Sequence, residues 1–278
     1  MIGLESPHYL REVTTVYTVF FDSGIGGLNT LKHAIAKMPD ERFIYFGDTA
    51  NVPYGTKSPE EIINLMRGVM DHLHGYELKA FVIACNTATS VAAGFLRERY
   101  SFPVIGMEPA VKPALAECKC SGQRVLLLAT ILTLKSERIA KLLSRVDIHG
   151  QIDTVPCSEL VEFAERLEFD TPAVEDFLRR KLVTYDLSKY GSVVLGSTHF
   201  NYFSEAIRNV FPAGTKIMDG NAGTVNQLAR IINYSEKESS AGSGEEILLH
   251  LSDSKDLRKI EAVKKMIHSV TEAPVRVI

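Results

Sequence analysis

Apolar and polar positions along this chain switch between two periods. Short apolar runs rich in β-branched and aromatic residues stop at small polar residues, and stretches with apolar positions every three or four residues follow. The runs at 15–21, 42–47, 80–85 and 102–107 predict strands. Between them, helices are predicted over 26–38, 58–76 and 87–100. Leu28, Leu31, Ile35 and Met38 mark the apolar stripe of the first. Ser58 as N-cap, Pro59 in the first turn and two glutamates behind it mark the start of the second. The pattern then restarts. Strands are expected at 124–130, 152–157, 192–197 and 215–220, and helices over 136–146, 158–168, 174–185 and 202–211. From 222 onward the pattern reads helix, a Ser/Gly/Glu-rich loop near 236–245, a strand at 246–252 and a closing helix. Such alternation predicts an α/β fold with mostly parallel sheets flanked by helices.

The restart is an internal repeat. "FVIACNTA" (81–88) has a near twin in "VVLGSTHF" (193–200). Aligning the apolar runs sets Ala84 on Gly196, Cys85 on Ser197 and Asn86 on Thr198. In the same way Asp22-Ser23 fall on Ala129-Thr130. Ligands of open α/β sheets bind at the carboxyl ends of strands. Two such halves would therefore turn Asp22-Ser23, Cys85-Asn86-Thr87, Thr130 and Ser197-Thr198-His199 toward one shared ligand.

Bulk properties narrow the class. The 278 residues suit one large or two ordinary domains, and 45% hydrophobic with 23% charged residues is a globular balance. A net charge of -3 without a basic run gives no support to nucleic-acid or membrane-surface partners. The first 15 residues lack the apolar core of a signal peptide, and no apolar stretch is long enough to span a bilayer. Four cysteines, Cys85, Cys118, Cys120 and Cys157, are too few for a disulfide framework, and Cys118-x-Cys120 is not a zinc spacing. The expected compartment is the cytoplasm, with no metal. Cys118, Cys120 and Cys157 read as structural.

Candidate chemistry sits at the strand ends. "DSGIGG" (22–27) is a partial dinucleotide motif whose third glycine is replaced by Asn29. It reads better as a helix N-terminus offering N–H groups to an anion such as a carboxylate, against the plainer reading of a tight turn. Cys85 ends a strand and opens a helix, a place that lowers a thiol pKa from about 8.5. Without context it would read as a small buried hydrophobe. Pro53-Tyr54-Gly55 reads as a rigid wall beside a ligand.

"FDSGIGGL", "YFGDTANVPYGTKS", "VIACNTAT", "PVIGMEPAVKPA", "LLAT..TLKS" and "VVLGSTHF" together resemble the glutamate racemases of the cofactor-independent aspartate/glutamate racemase superfamily. The likeness runs from about residue 18 to 220, and "MEPA" favours the glutamate members. It implies two pseudo-symmetric three-layer domains, 1–112 with 222–278 and 113–221, around an active-site cleft. It implies glutamate bound between two cysteines, one removing the α-proton and the other returning one on the opposite face, with no cofactor. Asp22-Ser23, Tyr54-Gly55, Asn86-Thr87 and Thr198-His199 would hold the substrate, joined by Thr130 and Glu165. Asp22 and His199 would assist the two bases. It further implies a homodimer and D-glutamate for peptidoglycan. Residues 1–15 would be an N-terminal extension of the kind that answers a peptidoglycan precursor.

One position departs from the family. Ser197 stands where the resemblance implies the second catalytic cysteine. An alcohol does not ionise near neutral pH without a dedicated base. Cys85 would then serve D-glutamate while the L side lacks its base. Three readings stay open: a designed knockout, a chain that has drifted to one-base lyase chemistry or to glutamate binding alone, and a racemase that manages with serine.

Overall fold

The computed structural model describes residues 15–118, 122–169, 172–235 and 246–278. Four strands come first: β1 (Val16–Asp22), β2 (Phe43–Gly47), β3 (Glu77–Ile83) and β4 (Val104–Gly106). Four more follow: β5 (Arg124–Ala129), β6 (Ile152–Pro156), β7 (Tyr190–Leu195) and β8 (Lys216–Met218). β9 (Ile247–Leu251) and β10 (Val275–Val277) close the chain. Two sheets result, in the orders β10-β9-β2-β1-β3-β4 and β6-β5-β7-β8, with parallel pairing throughout.

The repeat is visible in the topology. The order β2-β1-β3-β4 recurs as β6-β5-β7-β8. The register agrees as well. Ala84 N–H bonds Phe21 C=O at 2.8 Å, and Gly196 N–H bonds Leu128 C=O at 2.7 Å. Cys85 and Ser197 are thus each the second residue past equivalent strand ends. Asp22 and Ala129 are paired likewise, since each carbonyl accepts at 2.9 Å, from Asp48 N–H and Cys157 N–H respectively.

Helices cover both faces of each sheet. They are α1 (Leu28–Lys37), α2 (Pro59–His72), α3 (Asn86–Arg99), α4 (Val111–Cys118), α5 (Ile131–Lys135), α6 (Glu137–Val146), α7 (Glu159–Glu165), α8 (Pro172–Lys181), α9 (Ser204–Val210), α10 (Asn221–Ile231) and α11 (Leu257–His268). Successive strand residues point to opposite faces. Phe20, Tyr45 and Val82 therefore pack with α1, α10 and α11, while Phe21, Phe46 and Ile83 pack with α2 and α3. In the second sheet Leu126 and Leu128 pack with α7, α8 and α9, and Val125 and Leu127 pack with α4 and α6. Burial on both faces explains the continuous apolar runs of the strands. The chain leaves the first sheet after β4, and it returns with α10, whose Val225 and Leu228 pack back onto that sheet.

Several sequence expectations need adjustment. β3 starts at Glu77, because its first three residues are an exposed or half-exposed extension that apolar patterning does not register. The helix expected over 58–76 ends at His72 and tightens into a 3-10 turn over 73–75, while Ser58 caps it as expected, in a capping box with Glu61. The helix expected over 158–168 stops at Glu165, and Leu167 adopts φ 62°. The sequence pattern has no counterpart for α4, α5 or β10. All are short, and β10 is a three-residue edge strand. The expected loop at 236–245, the extension at 1–14 and Cys120 lie outside the described residues. Among the described residues, no helix is long and apolar enough to cross a membrane.

Candidate active site

The turn after β1 is the hinge of the arrangement. Gly24 N–H donates to Asp22 Oδ1 at 3.0 Å, and Ile25 N–H donates to Glu165 Oε1 at 2.8 Å. Tyr45 and Tyr202 hydroxyls donate to the carbonyls of Gly24 and Ile25, each at 2.8 Å. These two N–H groups bind carboxylates, as expected of the turn, and the carboxylates are the protein's own. The glycines have a different cause. A Cβ on Gly24 would stand 1.8 Å from Glu165 Oε1, and one on Gly26 would stand 2.5 Å from Thr198 Oγ1. The second half of the chain approaches this turn too closely for any side chain.

Asp22 is fully buried, and burial raises its pKa against the lowering effect of His199 and the hydrogen bonds of Gly24 and Thr198. Thr198 Oγ1 donates to Asp22 Oδ2 at 2.9 Å. This bond joins the first sheet's turn to the second sheet's turn.

The two equivalent strand ends differ in detail. Cys85 is the N-cap of α3, and its sulfur accepts from Ala88 N–H at 3.4 Å. Ser23 Oγ lies 3.3 Å from the same sulfur. Despite these contacts the thiol pKa is pushed up to about 11, because burial, reinforced by the charge of Asp22, outweighs them. The helix N-terminus alone predicts the opposite direction, so this sequence expectation is corrected. Ser197 precedes a 3-10 turn over Thr198–Phe203 and caps nothing with its side chain. Among the described residues its hydroxyl has no hydrogen-bond partner, and His199 does not reach it.

His199 is committed elsewhere. Its Nε2 lies 2.7 Å from Glu165 Oε1, and Lys259 Nζ donates to Glu165 Oε2 at 2.9 Å. Burial works against charge on both His199 and Glu165, but their mutual hydrogen bond and attraction prevail. Glu165 falls to about 2, aided by Lys259, and His199 is raised above its ordinary value. Each partner thus favours the charged form of the other.

A narrow cleft opens between the two sheets' carboxyl ends. Cys85, Ser23, Asn86 and Thr87 line it from the first half, with Tyr54 and Gly55 from the loop after β2. Ser197, His199, Thr130 and Val161 line it from the second. Tyr54 is locked by a 2.7 Å bond from its hydroxyl to Asp48 Oδ2. Thr87 Oγ1 lies 3.1 Å from both Thr130 Oγ1 and Thr133 Oγ1, tying the walls together. Asn86 Oδ1 is buried and, among the described residues, has no hydrogen-bond partner. An orphaned buried acceptor costs about 1–3 kcal/mol, and in a cleft it points to a donor on a ligand.

The structure thus brings together the expected residues but divides them. Ser23, Tyr54, Gly55, Cys85, Asn86, Thr87, Thr130, Ser197 and His199 line the cleft. Asp22, Thr198 and Glu165 stand behind the lining, where Thr198 bonds Asp22 and Glu165 bonds both His199 and Ile25 N–H. Sequence reasoning missed Lys259, Thr133 and Asp48. Lys259 sits on α11, far in sequence from its partner, and only its burial on an otherwise amphipathic helix distinguishes it. Cys118 and Cys157 are buried in the second half's cores, and burial pushes the Cys157 thiol up to about 12.

Comparison with known proteins meets this geometry. The family model described as Asp/Glu/Hydantoin racemase matches residues 26–228. A glutamate racemase of Halothermothrix orenii is 43% identical over 242 residues, covering 87% of this chain and 94% of that protein. The crystal structure of Escherichia coli glutamate racemase in complex with L-glutamate and the activator UDP-MurNAc-ala superposes with a TM-score of 0.79 at 30% identity, covering 95% of this chain and 98% of that one. The Francisella tularensis enzyme in complex with D-glutamate gives 0.76 at 26% identity, covering 95% and 97%. With its doubled parallel-sheet topology and a thiol at the first strand end, the chain belongs to the Asp/Glu/Hydantoin racemase family.

Proposed function

We propose that this chain binds glutamate in the cleft between its two lobes, 1–112 with 222–278 and 113–221, and acts on the α-proton as a cofactor-independent glutamate racemase whose second base is absent. The observation that carries this reading is the placement of Cys85 and Ser197. Equivalent strand ends of the two halves deliver them to the walls of one cavity.

The chemistry follows from charge. An amino-acid α-proton is a very weak acid, so its removal needs a good base. The Cys85 thiol, raised to about 11, is protonated at neutral pH in the unliganded site. A substrate ammonium near Asn86 Oδ1 would satisfy that orphan acceptor and favour the thiolate. Ser23 Oγ and Ala88 N–H already stand beside the sulfur and can stabilise the anion without reorganising. Deprotonation of D-glutamate by Cys85 then gives a carbanion that Cys85 can only reprotonate on the same face. On the opposite face Ser197 has no base beside it, since Nε2 of His199 is bonded to Glu165. This support favours the racemase fold with a broken cycle over a one-base lyase. The cleft's amino-acid-binding groups have no part in malonate-like chemistry.

The test is Ser197→Cys. Restoring a thiol should raise interconversion of L- and D-glutamate, followed by polarimetry, by about 10²–10⁴-fold. A folded Ser197→Cys chain inert on both enantiomers overturns the proposal. Two expectations from the resemblance have their own checks. Light scattering tests assembly into two copies. Added UDP-MurNAc-Ala tests activation, an unchanged rate removing that expectation.

A further inference from the structure

We infer that Lys259 is a positioning residue that acts on His199 through Glu165. Its catalytic meaning rests on the proposed glutamate chemistry, while the placement of the groups does not. Lys259 is 8% exposed, although lysine is almost never buried without a partner. Its neighbour on the same turn, Arg258, has a side chain 93% exposed. The buried lysine therefore serves something specific, and Glu165 is that partner.

The carboxylate of Glu165 is divided between three donors. Oε1 takes His199 Nε2 at 2.7 Å and Ile25 N–H at 2.8 Å, and Oε2 takes Lys259 Nζ at 2.9 Å. Lys259 thereby fixes the rotation of the carboxylate and leaves one oxygen for His199. Its own backbone is pinned as well, since Lys259 N–H donates to the capping Asp256 Oδ1 at 3.1 Å. The connection also crosses the lobes, because α11 packs on the first sheet while Glu165 and His199 belong to the second.

Electrostatics sets the sign of the test. The charged groups acting on His199 are Glu165 and Asp22, which favour its cation, and Lys259, which opposes it. Lys259 thus keeps His199 fixed in place while limiting how strongly its proton is held. Removing the ammonium should raise the midpoint of His199 by about one pH unit. It should also broaden the ring signal, because Oε2 of the carboxylate loses its donor.

Nitrogen-15 NMR of the histidine rings in the full chain reads both effects, with His199 assigned by the signal lost in His199→Gln. Lys259→Met and Lys259→Gln should both shift the midpoint upward. Lys259→Arg should restore it, and Arg258→Met should leave it in place. Unmoved midpoints in Met and Gln, or equal shifts in Met, Gln and Arg, overturn the inference. Exchange of the glutamate α-proton is followed in the same variants. Lys259→Met should lower the maximal rate more than it weakens half-saturation. If no variant exchanges at all, the functional reading falls, and the ring titration still decides the role of Lys259.

Discussion

The two halves share a frame and differ in what they do with it. After β3, Cys85 opens a 14-residue helix, and the groups around it attend to the sulfur. After β7, Ser197 opens a 3-10 turn, and the residues that follow reach away from it: Thr198 to Asp22 of the other lobe and His199 to Glu165 of its own. The first half carries Asp22 where the second has Ala129, and Asp48 where the second has Cys157. A duplicated scaffold fixes where side chains stand. It leaves their protonation to neighbours that are not duplicated.

The strongest way to break this comparison is at the sulfur. Cys85→Ala should abolish α-proton exchange on D-glutamate, a loss of at least about 10³-fold, whereas Ser197→Ala should leave that exchange within a few-fold of the starting chain. Equal losses at both positions, measured by mass spectrometry of deuterated glutamate, would erase the asymmetry.

The next effect tests the bridge between halves. Glu165→Gln leaves the buried Lys259 and His199 without their anion and should cost about 3–5 kcal/mol in urea unfolding. A loss under about 1 kcal/mol would mean that the bridge contributes no more than a surface pair.

Glycines sharpen the point further. Gly24→Ala drives a methyl into Glu165 and should destabilise by about 1–3 kcal/mol or more. Gly68→Ala, in the exposed middle of α2 with open space around it, should stabilise by about 0.5–1 kcal/mol. Melting temperatures that move in the same direction would refute the close approach of the lobes.

The smallest effect is in pH. Glu165 falls from 4.5 to about 2, so its stabilisation is complete above 4.5 and is lost as pH drops toward 2. His199 is raised from 6.5, so its stabilisation is complete below 6.5 and is lost as pH rises through its higher folded value. These two groups therefore add no slope between 4.5 and 6.5 and a decline on each side, and both declines should be shallower in Glu165→Gln. An unchanged profile in that variant would contradict the assignment.

Much of this was legible in the sequence because it is local or repeated. Apolar runs located the strands, and the alignment of Cys85 with Ser197 anticipated the register of β3 and β7. The remainder depends on contacts across the lobes. Nothing near "DSGIGG" announces that Glu165, 140 residues away, occupies the N–H of Ile25. Nothing near Lys259 announces its burial against the same carboxylate. The thiol of Cys85 shows the limit most sharply. A helix N-terminus suggests a lowered pKa, but burial and Asp22, brought in by folding, reverse the sign.

The most direct measurement is proton NMR of D-glutamate and, separately, L-glutamate in D₂O with the purified chain. The account predicts loss of the α-proton signal from D-glutamate alone, with optical rotation preserved, because Cys85 works on one face and Ser197 supplies no base on the other. Exchange of both enantiomers with rotation decaying to zero would contradict it and make Ser197 a competent partner.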